Sequence, residues 1–488
     1  MSWRDARYKR FYDIVDHLVA ELQEHVWHET GKPKRKLRGN SLEKLHYSVE
    51  CLVRDCIAIV LQRKRKGEAA IKKGKYNYSA KRPDKMLTYG IHIDRAFHGL
   101  VELGYLEVTQ IGYYDREGRK DGKPTSRLSR YIATERLLDL FSEDELRAMP
   151  AIVPAYNDPD LIRISVKEKD EKGVKRKRSL AVIETFETNQ MRDNLRMINK
   201  ALSKHWFDLQ IPDEELSDLQ VRLADNPENE RIIRMDQRSL HRVFNDPGLQ
   251  TGGRFYGGWW QNIPREYRSY MVVNAKQMVE LDYSNQHPTI LYSRAGVDRP
   301  SDCYSGVINI RNISSDVTSE ALRNMIKAAF NAMLNSTKPL SRPPSEVNPS
   351  KFGLKWSEIS EAITEFHKPI AHHFYTGAGL RLQRIDSDIA ERVLLHFASI
   401  GRPILPLHDS FMMHYGDEDL LAPVMQNAFE EVVGVSPKID RKKASKRICD
   451  SVTYLDDGFG PKTADDLTDL LANQSGHDRR LDAFYSLS

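Results

Sequence analysis

Apolar residues recur at helical spacing through the first hundred residues of the chain. They form three stripes: Phe11, Ile14, Val15, Leu18, Val19 and Leu22; Leu42, Leu45, Val49, Leu52, Val53, Cys56, Ile57 and Val60; and Ile93, Ala96, Phe97, Leu100 and Val101. Side chains three and four positions apart share one helix face, so each stripe predicts an amphipathic helix. The third helix is expected to end near Gly104, a residue type favoured just after a helix C-terminus.

The pattern changes from helical to strand-like after this glycine. Tyr105–Ile111 and Leu128–Ala133 are rich in strand-forming residues and flank a basic loop, YYDREGRKDGKPTS. Helices followed by a hairpin with a cationic tip are typical of a winged helix, in which a helix enters the DNA major groove. The same pattern also fits an ordinary α+β packing domain. We therefore expect residues 1–150 to form a winged-helix-like domain, with the packing domain as the alternative.

The pattern is weaker over residues 151–250. Prolines and turn-forming residues in Pro154–Pro159 predict a linker. Met191–Trp206 and Glu214–Leu223 follow the helical period and predict two helices.

Buried-strand patterns return in the second half of the chain. Met278–Tyr283 (MVELDY) is a short run of apolar and strand-forming residues, with Asp282 near its end. Ile404–Leu407 and Phe411–Tyr415 predict two further strands, joined by a tight His-Asp-Ser turn that presents Asp409. If these strands are neighbours in one sheet, the two carboxylates lie side by side.

A predicted helix between these strands carries two cations. Arg323 and Lys327 are four residues apart in RNMIKAAFNAMLN, so both project from one helix face. Such a face can bind phosphate oxygens, and Arg can do so through two parallel hydrogen bonds. The alternative for this pair is a solvated helix face, and the alternative for Asp282 is a helix N-cap.

Two adjacent carboxylates and a cationic helix are the groups that nucleotidyl transfer requires. In that reaction two Mg²⁺ ions roughly 3.5–4 Å apart stabilise the attacking and leaving oxygens. Mg²⁺ retains water, so one or two carboxylates plus substrate phosphates hold it. The sequence therefore predicts a site for two Mg²⁺ ions, with Mn²⁺ as a possible substitute.

The second half of the chain resembles the family A DNA polymerases and their relatives, the phage-type single-subunit RNA polymerases, from Thr251 to Val435. The matching segments, in chain order, are Thr251, Gly253 and Arg254 with Gln261-Asn262-Ile263-Pro264 (family TGR…QNIP), Asp282–His287 (DYSQIE), Arg323 with Lys327, Phe330 and Asn331 (the RxxxK finger helix), Leu382–Phe397 (the Gln-led helix) and His408-Asp409 (His-Asp-Glu).

The resemblance implies an α+β right hand of palm, fingers and thumb behind the winged-helix-like domain. Residues 151–250 would then be linker and thumb, 251–445 palm and fingers, and 446–488 a peripheral polar tail. It implies catalytic roles for Asp282, Asp409, Lys327 and His408, with the two aspartates as metal ligands. The implied nucleotide contacts are Arg323, Lys327, His287, Asn331, Asn335 and Tyr283. The implied primer–template contacts are Arg254, Gln261, Asn262 and Gln383.

Three departures from the family bear on the choice of sugar. His287 stands where family A has Glu, and Asn335 stands where it has Tyr. Ser410 replaces the Glu after His-Asp, which is the spelling of the phage-type RNA polymerases. A bulky His287 can exclude a 2′-hydroxyl, whereas the small amide of Asn335 can bond one. We expect DNA synthesis, with RNA synthesis as the alternative.

Charge and composition bound the remaining possibilities. The 488 residues carry a net charge of only +5, but basic runs concentrate in the first 180 residues. Of these we expect Arg116, Arg119, Lys120 and Lys123 to contact nucleic-acid phosphates. No apolar run approaches the length of a membrane span. Four scattered cysteines fit neither a disulfide framework nor a zinc site, so we expect a reducing cytoplasm. We also expect a monomer.

The predicted function is template-directed nucleotidyl transfer, and the expected protein is a small DNA polymerase of a phage, plasmid or mobile element. Its expected partners are nucleoside triphosphates and a DNA primer–template or single-stranded template. The alternatives are an RNA-synthesising primase or single-subunit RNA polymerase, and a noncatalytic DNA-binding replication protein.

Overall fold

The computed structural model describes residues 6–28, 36–57, 69–71, 90–115, 125–127, 129–153, 160–169, 175–224, 231, 233–308, 318–442 and 476–487. The chain forms a mixed α+β fold, as predicted. The predicted linker at Pro154–Pro159 lies outside the described residues. So do four predicted phosphate contacts: Arg116, Arg119, Lys120 and Lys123.

The N-terminal part contains helices and short antiparallel strands. Its helices are α1 (Lys9–His28), α2 (Asn40–Ile57), α3 (Gly90–Glu102), α4 (Glu135–Leu138) and α5 (Glu143–Ile152). Its strands are β1 (Ala69–Ile71), β2 (Leu106–Gln110), β3 (Tyr113–Asp115), β4 (Thr125–Arg127) and β5 (Ser129–Ala133). The three helices predicted from apolar stripes are confirmed, except that Val60 of the second stripe lies outside the described residues. Helix α3 is followed by Gly104 with a left-handed φ of 74°.

This part has a hydrophobic core of its own. The predicted stripes pack together with Tyr131 of β5 and are almost completely buried: Val15, Leu18, Val49, Val53, Phe97 and Leu100. Strands β1, β5 and β2 form a three-stranded sheet, and β3 pairs with β4 on either side of residues 116–124. The element order of helices, strand, helix and hairpin is compatible with a winged helix, which stays a prediction.

The rest of the chain contains the longer helices and two larger sheets. The helices are α6 (Phe186–Leu202), α7 (Asp213–Ala224), α8 (Gln286–Ala295), α9 (Ser319–Asn335), α10 (Trp356–Phe366), α11 (Ala378–Ser399), α12 (Glu418–Val433) and α13 (476–486). The strands are β6 (Ile162–Lys169), β7 (Lys175–Leu180), β8 (Phe207–Leu209), β9 (His241–Phe244), β10 (Gly252–Tyr256), β11 (Met271–Val273), β12 (Lys276–Ser284), β13 (Leu405–Leu407), β14 (Ser410–His414) and β15 (Lys438–Arg441).

A four-stranded sheet of order β10-β9-β6-β7 was not predicted from the sequence. Its β9–β10 hairpin spans residue 250, where the pattern had suggested a boundary between units. Gly253 in this hairpin has a φ of 82°, and a Cβ there would lie 2.7 Å from the Phe244 ring and 2.9 Å from the Ser387 hydroxyl. Glycine at this position therefore lets α11 approach the hairpin closely.

The second sheet brings together the strands predicted around the two aspartates. Its order is β13-β14-β12-β11-β8, and β15 pairs with the far end of β12. All these pairs are antiparallel, with Asp282 opposite Ser410 on one side and opposite Asp440 on the other. The predicted neighbourhood of Met278–Tyr283 and the His-Asp-Ser hairpin is therefore confirmed.

The long helix α11 connects the four-stranded sheet to several helices. It packs against β10, α6, α9 and α12. Its buried face is apolar over several turns, with Leu382, Ile389, Val393, Leu394 and Phe397 almost inaccessible to solvent. Side chains on the other faces of α11 are thus held at fixed positions beside β10, α8 and α9.

The prediction of a peripheral tail is wrong for the end of the chain. Helix α13 is docked in the core, with Arg480 fully buried and Phe484 only 2% exposed. Arg480 donates to both oxygens of Asp208, at 2.8 and 3.0 Å, and to Asp213 at 2.8 Å. Buried charges need such partners, and neither the spacing nor the polarity of the tail indicated one.

Candidate functional site

The two predicted aspartates lie on adjacent strands of the second sheet. The amide of Tyr283 donates to the carbonyl of Asp409 at 3.4 Å, which brings the β13–β14 turn to the end of β12. His408 in that turn has a left-handed φ of 70°, a strained conformation for a residue with a Cβ. The tight two-residue turn therefore presents Asp409 beside Asp282.

The surroundings of this acidic pair shift the pKa of Asp282. Burial and the neighbouring carboxylate of Asp409 raise the pKa of Asp282 to about 6, although Lys442 opposes the shift. Lys442 follows β15, and its ammonium group contacts the Asp282 carboxylate. A positive charge from the protein thus lies where the acidic pair attracts cations.

These carboxylates fit a magnesium site. Two carboxylates suffice for Mg²⁺ because the ion retains water and also binds substrate phosphates. Burial and the negative charge of Asp409 both raise the pKa of Asp282. A cation beside the carboxylate would stabilise its charged form, and Lys442 occupies such a position. Over the described ranges, no set of three or more His, Cys, Asp or Glu is placed to hold a metal ion, so the fit rests on this pair.

A third carboxylate lies next to the pair on the same face of β12. Glu280 accepts a hydrogen bond from the Ser410 hydroxyl at 2.7 Å and forms an ion pair with Arg268 at 3.3 Å. Its charge also contributes to raising the pKa of Asp282. The hydroxyl of Ser410, at the position where family A has Glu, is therefore bound to a carboxylate from the neighbouring strand.

His408 is placed between the acidic pair and strand β10. Its ring meets the ring of Tyr256 edge-on, with centroids 5.3 Å apart. Burial, with the positive charge of Arg254, lowers the pKa of His408 to about 4. His408 is therefore neutral near pH 7 and can offer one donor and one acceptor.

The cationic helix face is confirmed on α9, but one of its cations has a partner. Arg323 Nε donates to Asp302 at 2.7 Å, and its guanidinium lies 5.3 Å from the ring centre of Tyr304. Lys327 is exposed, with its ammonium 6.0 Å from the same ring centre. Asp302 holds Arg323 in place, while Lys327 extends to solvent.

A buried carboxylate joins two further predicted site residues. Asp386 Oδ2 accepts from Arg254 Nη2 at 2.6 Å and from His287 Nε2 at 2.8 Å. Burial opposes the charged imidazole, but the Asp386 carboxylate raises the pKa of His287 above its ordinary value. His287 and Arg254 are thus brought together at the side of α11, which their sequence positions did not predict.

The remaining predicted contacts lie on elements around this group. Asn335 is exposed on α9, donates to the Asn331 carbonyl at 2.8 Å and packs closely against Gly379. Gln383 lies half-buried in the first turns of α11. Gln261 donates to the backbone carbonyl of Phe255 at 2.9 Å, while its neighbour Asn262 is half-buried. Gln261 therefore braces the backbone in this structure.

The predicted nucleotide contact of Tyr283 is wrong. Its side chain is buried, and its hydroxyl donates to the backbone carbonyl of Met425 in α12 at 2.7 Å. Successive residues of a strand point to opposite faces, so Tyr283 points away from the face that carries Asp282. Tyr283 instead anchors α12 beneath the sheet, against Phe429.

Sequence reasoning missed the charged partners of the predicted residues. Lys442, Asp386 and Asp302 each contact a residue of the predicted site, and the charge of Glu280 acts on Asp282. The position of Glu280 could have been predicted from the sequence, because residues two apart in a strand lie on the same face. The others are distant in sequence from their partners and belong to no short motif.

No family model matches this chain, and no curated protein matches it. One solved structure that aligns with it is the POL domain of Pol1 from M. smegmatis, in complex with DNA primer-template and dNTP. That alignment has a TM-score of 0.30 and 16% identity, and it covers 47% of this chain and 50% of the other. This chain thus spans about half the length of its match. A likeness this weak says nothing of the activity, which must be inferred from the side chains of the site.

Proposed function

We propose that this protein is a template-directed nucleotidyltransferase that extends the 3′ end of a nucleic-acid primer. The observation that supports this best is the acidic pair, Asp282 and Asp409, on adjacent strands of an antiparallel sheet. Burial and mutual repulsion raise the pKa of Asp282 to about 6, a perturbation typical of functional carboxylates. The cationic helix α9 supplies the second element that such a reaction needs.

In the proposed reaction the 3′-hydroxyl oxygen of the primer forms a bond to the α-phosphorus of a nucleoside triphosphate. The hydroxyl proton is released, and pyrophosphate leaves with the electrons of the broken bond. Asp282 and Asp409 would hold two Mg²⁺ ions, which when bound stabilise the charge on the attacking and leaving oxygens. Arg323 and Lys327 would bind the triphosphate, with Asp302 fixing the orientation of Arg323.

The primer end would be held by neutral and cationic groups around the turn of β13 and β14. His408 is neutral because burial lowers its pKa to about 4, so it can hydrogen-bond the primer terminus without adding charge. Arg254 is fixed by the Asp386 carboxylate and would contact the primer–template, as would Gln383 and Asn262. Gln261 would support strand β10, which carries Arg254, through its hydrogen bond to the Phe255 carbonyl.

DNA synthesis is the favoured activity. The ring of His287 is half-buried and fixed by Asp386, so it offers rigid bulk against a 2′-hydroxyl. RNA synthesis is the second candidate, because exposed Asn335 carries an amide that can bond a 2′-hydroxyl. Asn335 already donates to the Asn331 carbonyl, and this bond occupies one of its amide hydrogens.

A primer-extension assay tests this function. The protein is incubated with Mg²⁺, primed and unprimed single-stranded DNA, and either dNTPs or NTPs. We expect template-dependent extension of the primed strand with dNTPs, and no extension by Asp282→Asn or Asp409→Asn. Absence of product under all four conditions refutes the proposal, and so does full activity in either aspartate variant.

A further inference from the structure

Asp386 lies where three elements of the site converge. It projects from α11 and accepts, through the single oxygen Oδ2, from Arg254 of β10 and from His287 of α8. The two donors share this one acceptor oxygen, at 2.6 and 2.8 Å, so a change in the position of Asp386 acts on both. A carboxylate on a rigid, well-packed helix thus fixes two side chains from separate parts of the chain.

Stability alone does not account for Asp386. The residue is 1% exposed, and its second oxygen, Oδ1, is buried without a hydrogen-bond partner among the described residues. A buried carboxylate with an unbonded oxygen costs stability, and an apolar side chain of similar volume would often cost less. The presence of a buried carboxylate at this cost is better explained by the two side chains that it positions, Arg254 and His287.

The electrostatics of Asp386, His287 and Arg254 favour a charged carboxylate between two cations. Burial favours the neutral carboxyl, but His287 and Arg254 hold the pKa of Asp386 below its usual range. The same carboxylate raises the pKa of His287. Hydrogen bonds that involve ionised groups are shorter and stronger than neutral ones, so the geometry of all three side chains is well defined.

We propose that Asp386 is a positioning residue that joins the sugar contact of His287 to the primer-end contact of Arg254, so that the two are recognised as one unit. The proposal rests on the proposed function and deepens it. A displaced primer end would move Arg254, release Asp386 and shift His287 away from the incoming sugar. Sugar selection would then respond to the state of the primer terminus.

A double-mutant cycle measured in two backgrounds tests this coupling. The measured quantity is the ratio of kcat/KM for dNTP to that for NTP on a primed template. It is determined for the wild type, His287→Ala, Arg254→Ala and the double variant, and then for the same set with Asp386→Asn. Thermal unfolding of every variant identifies those that fail to fold.

We expect the two substitutions to be non-additive in the wild-type background, by about fivefold or more in the ratio. In the Asp386→Asn background they should be additive within about twofold, as for independent sites. Asp388→Asn is the matched control. Asp388 lies on the same helix and pairs with Arg384 and Arg242. It pairs with neither His287 nor Arg254, which bond Asp386, so the coupling should persist in this variant.

The outcomes separate the coupling from the function. Additive effects in the wild-type background overturn the coupling, and so does its survival in Asp386→Asn. If Asp386→Asn does not fold, the single variant Arg254→Ala tests the coupling. The coupling requires this variant to change the ratio of kcat/KM for dNTP to that for NTP, and an unchanged ratio overturns it. A wild-type protein that extends no primer refutes the proposed function, and the coupling with it. An active wild type with independent His287 and Arg254 refutes only the coupling.

Discussion

The ammonium group of Lys442 contacts the carboxylate of Asp282, one of the two acidic groups of the site. A tethered cation therefore competes with any divalent ion for that carboxylate. We expect Lys442→Met to tighten Mn²⁺ binding at pH 8 about fivefold, since a partly exposed ion pair is worth ~1 kcal/mol. Titration of Mn²⁺ by electron paramagnetic resonance, without nucleic acid or nucleotide, measures this affinity.

Lys438→Met is the control for this experiment. Lys438 lies on β15 and pairs with Asp440 at 3.5 Å, so its loss removes a charge from the same strand. Mn²⁺ affinity in this variant should stay within about twofold of the wild type, within the range expected of a non-interacting site. Weaker Mn²⁺ binding by Lys442→Met would show that Lys442 supports the metal and does not compete with it.

The acidic pair should destabilise the metal-free protein. The pKa of Asp282 is raised to about 6, so its favourable contribution is complete below its ordinary pKa and is lost as pH rises through about 6. At pH 8 without metal, Asp282→Asn should therefore raise the free energy of unfolding by ~1–3 kcal/mol. Urea unfolding with and without Mg²⁺ tests this. Mg²⁺ should stabilise the wild type but not the variant, and equal stabilisation of both would contradict the metal assignment.

Sugar choice should depend on His287. We expect His287→Ala to raise NTP incorporation relative to dNTP by about tenfold or more, because it removes the bulk that faces the 2′ position. Steady-state incorporation of a single nucleotide gives the ratio. His372→Ala, a change of the same size on another part of the chain, is the control. Wild-type preference for NTPs, or an unchanged ratio in His287→Ala, would reverse the preference for DNA synthesis.

The basic loop of the N-terminal part should contribute to salt-dependent DNA binding. Neutralising Arg116, Arg119, Lys120 and Lys123 together should shallow the slope of log affinity against log salt, by up to about 3 or 4 if all contact phosphates. Fluorescence anisotropy on duplex DNA over a range of salt measures the slope. A variant that exchanges Lys and Arg at the same four positions preserves the charge and should keep the wild-type slope. An unchanged slope in the neutral variant would reduce this loop to a structural role.

Arg480 should stabilise the core around β8 through a buried charge pair. Arg480→Met leaves Asp208 buried without this counter-ion and should cost ~3–5 kcal/mol near pH 7. Despite burial, Arg480 lowers the pKa of Asp208 to about 2, so the contribution is present above its ordinary pKa and is lost as pH falls through about 2. Chemical unfolding at pH 7 and pH 3 should show a smaller difference at pH 3. Arg479→Met, one residue away, should cost much less.

The acidic pair could be predicted because its signals are local. A strand pattern surrounds Asp282, a second surrounds the turn with Asp409, and antiparallel pairing brings them together. The helix of Arg323 and Lys327 was predicted from one local segment, RNMIKAAFNAMLN, and apolar residues do repeat along α9. The secondary structure of such segments can be predicted from their own residues, without knowledge of the rest of the chain.

The missed features depend on pairings that the sequence does not specify. Asp386 and Arg254 are 132 residues apart, and Arg480 and Asp208 are 272 apart. Nothing in a single sequence says which of many charges meet in the folded core. Strand alternation predicts that Tyr283 points away from the face of Asp282. The match to the family motif did not take this into account, and it led to the wrong prediction of a nucleotide contact.

The docking of α13 has a consequence for how the protein is made. Asp208 leaves the ribosome 272 residues before Arg480, a delay of about 15–50 s at 5–20 residues per second. Throughout that interval the nascent chain holds Asp208 without its guanidinium partner, so burying β8 in the core carries the cost of an unpaired carboxylate. A chain halted between residues 442 and 476 would contain both aspartates and every described strand of the second sheet, and would still lack the counter-ion of a buried carboxylate.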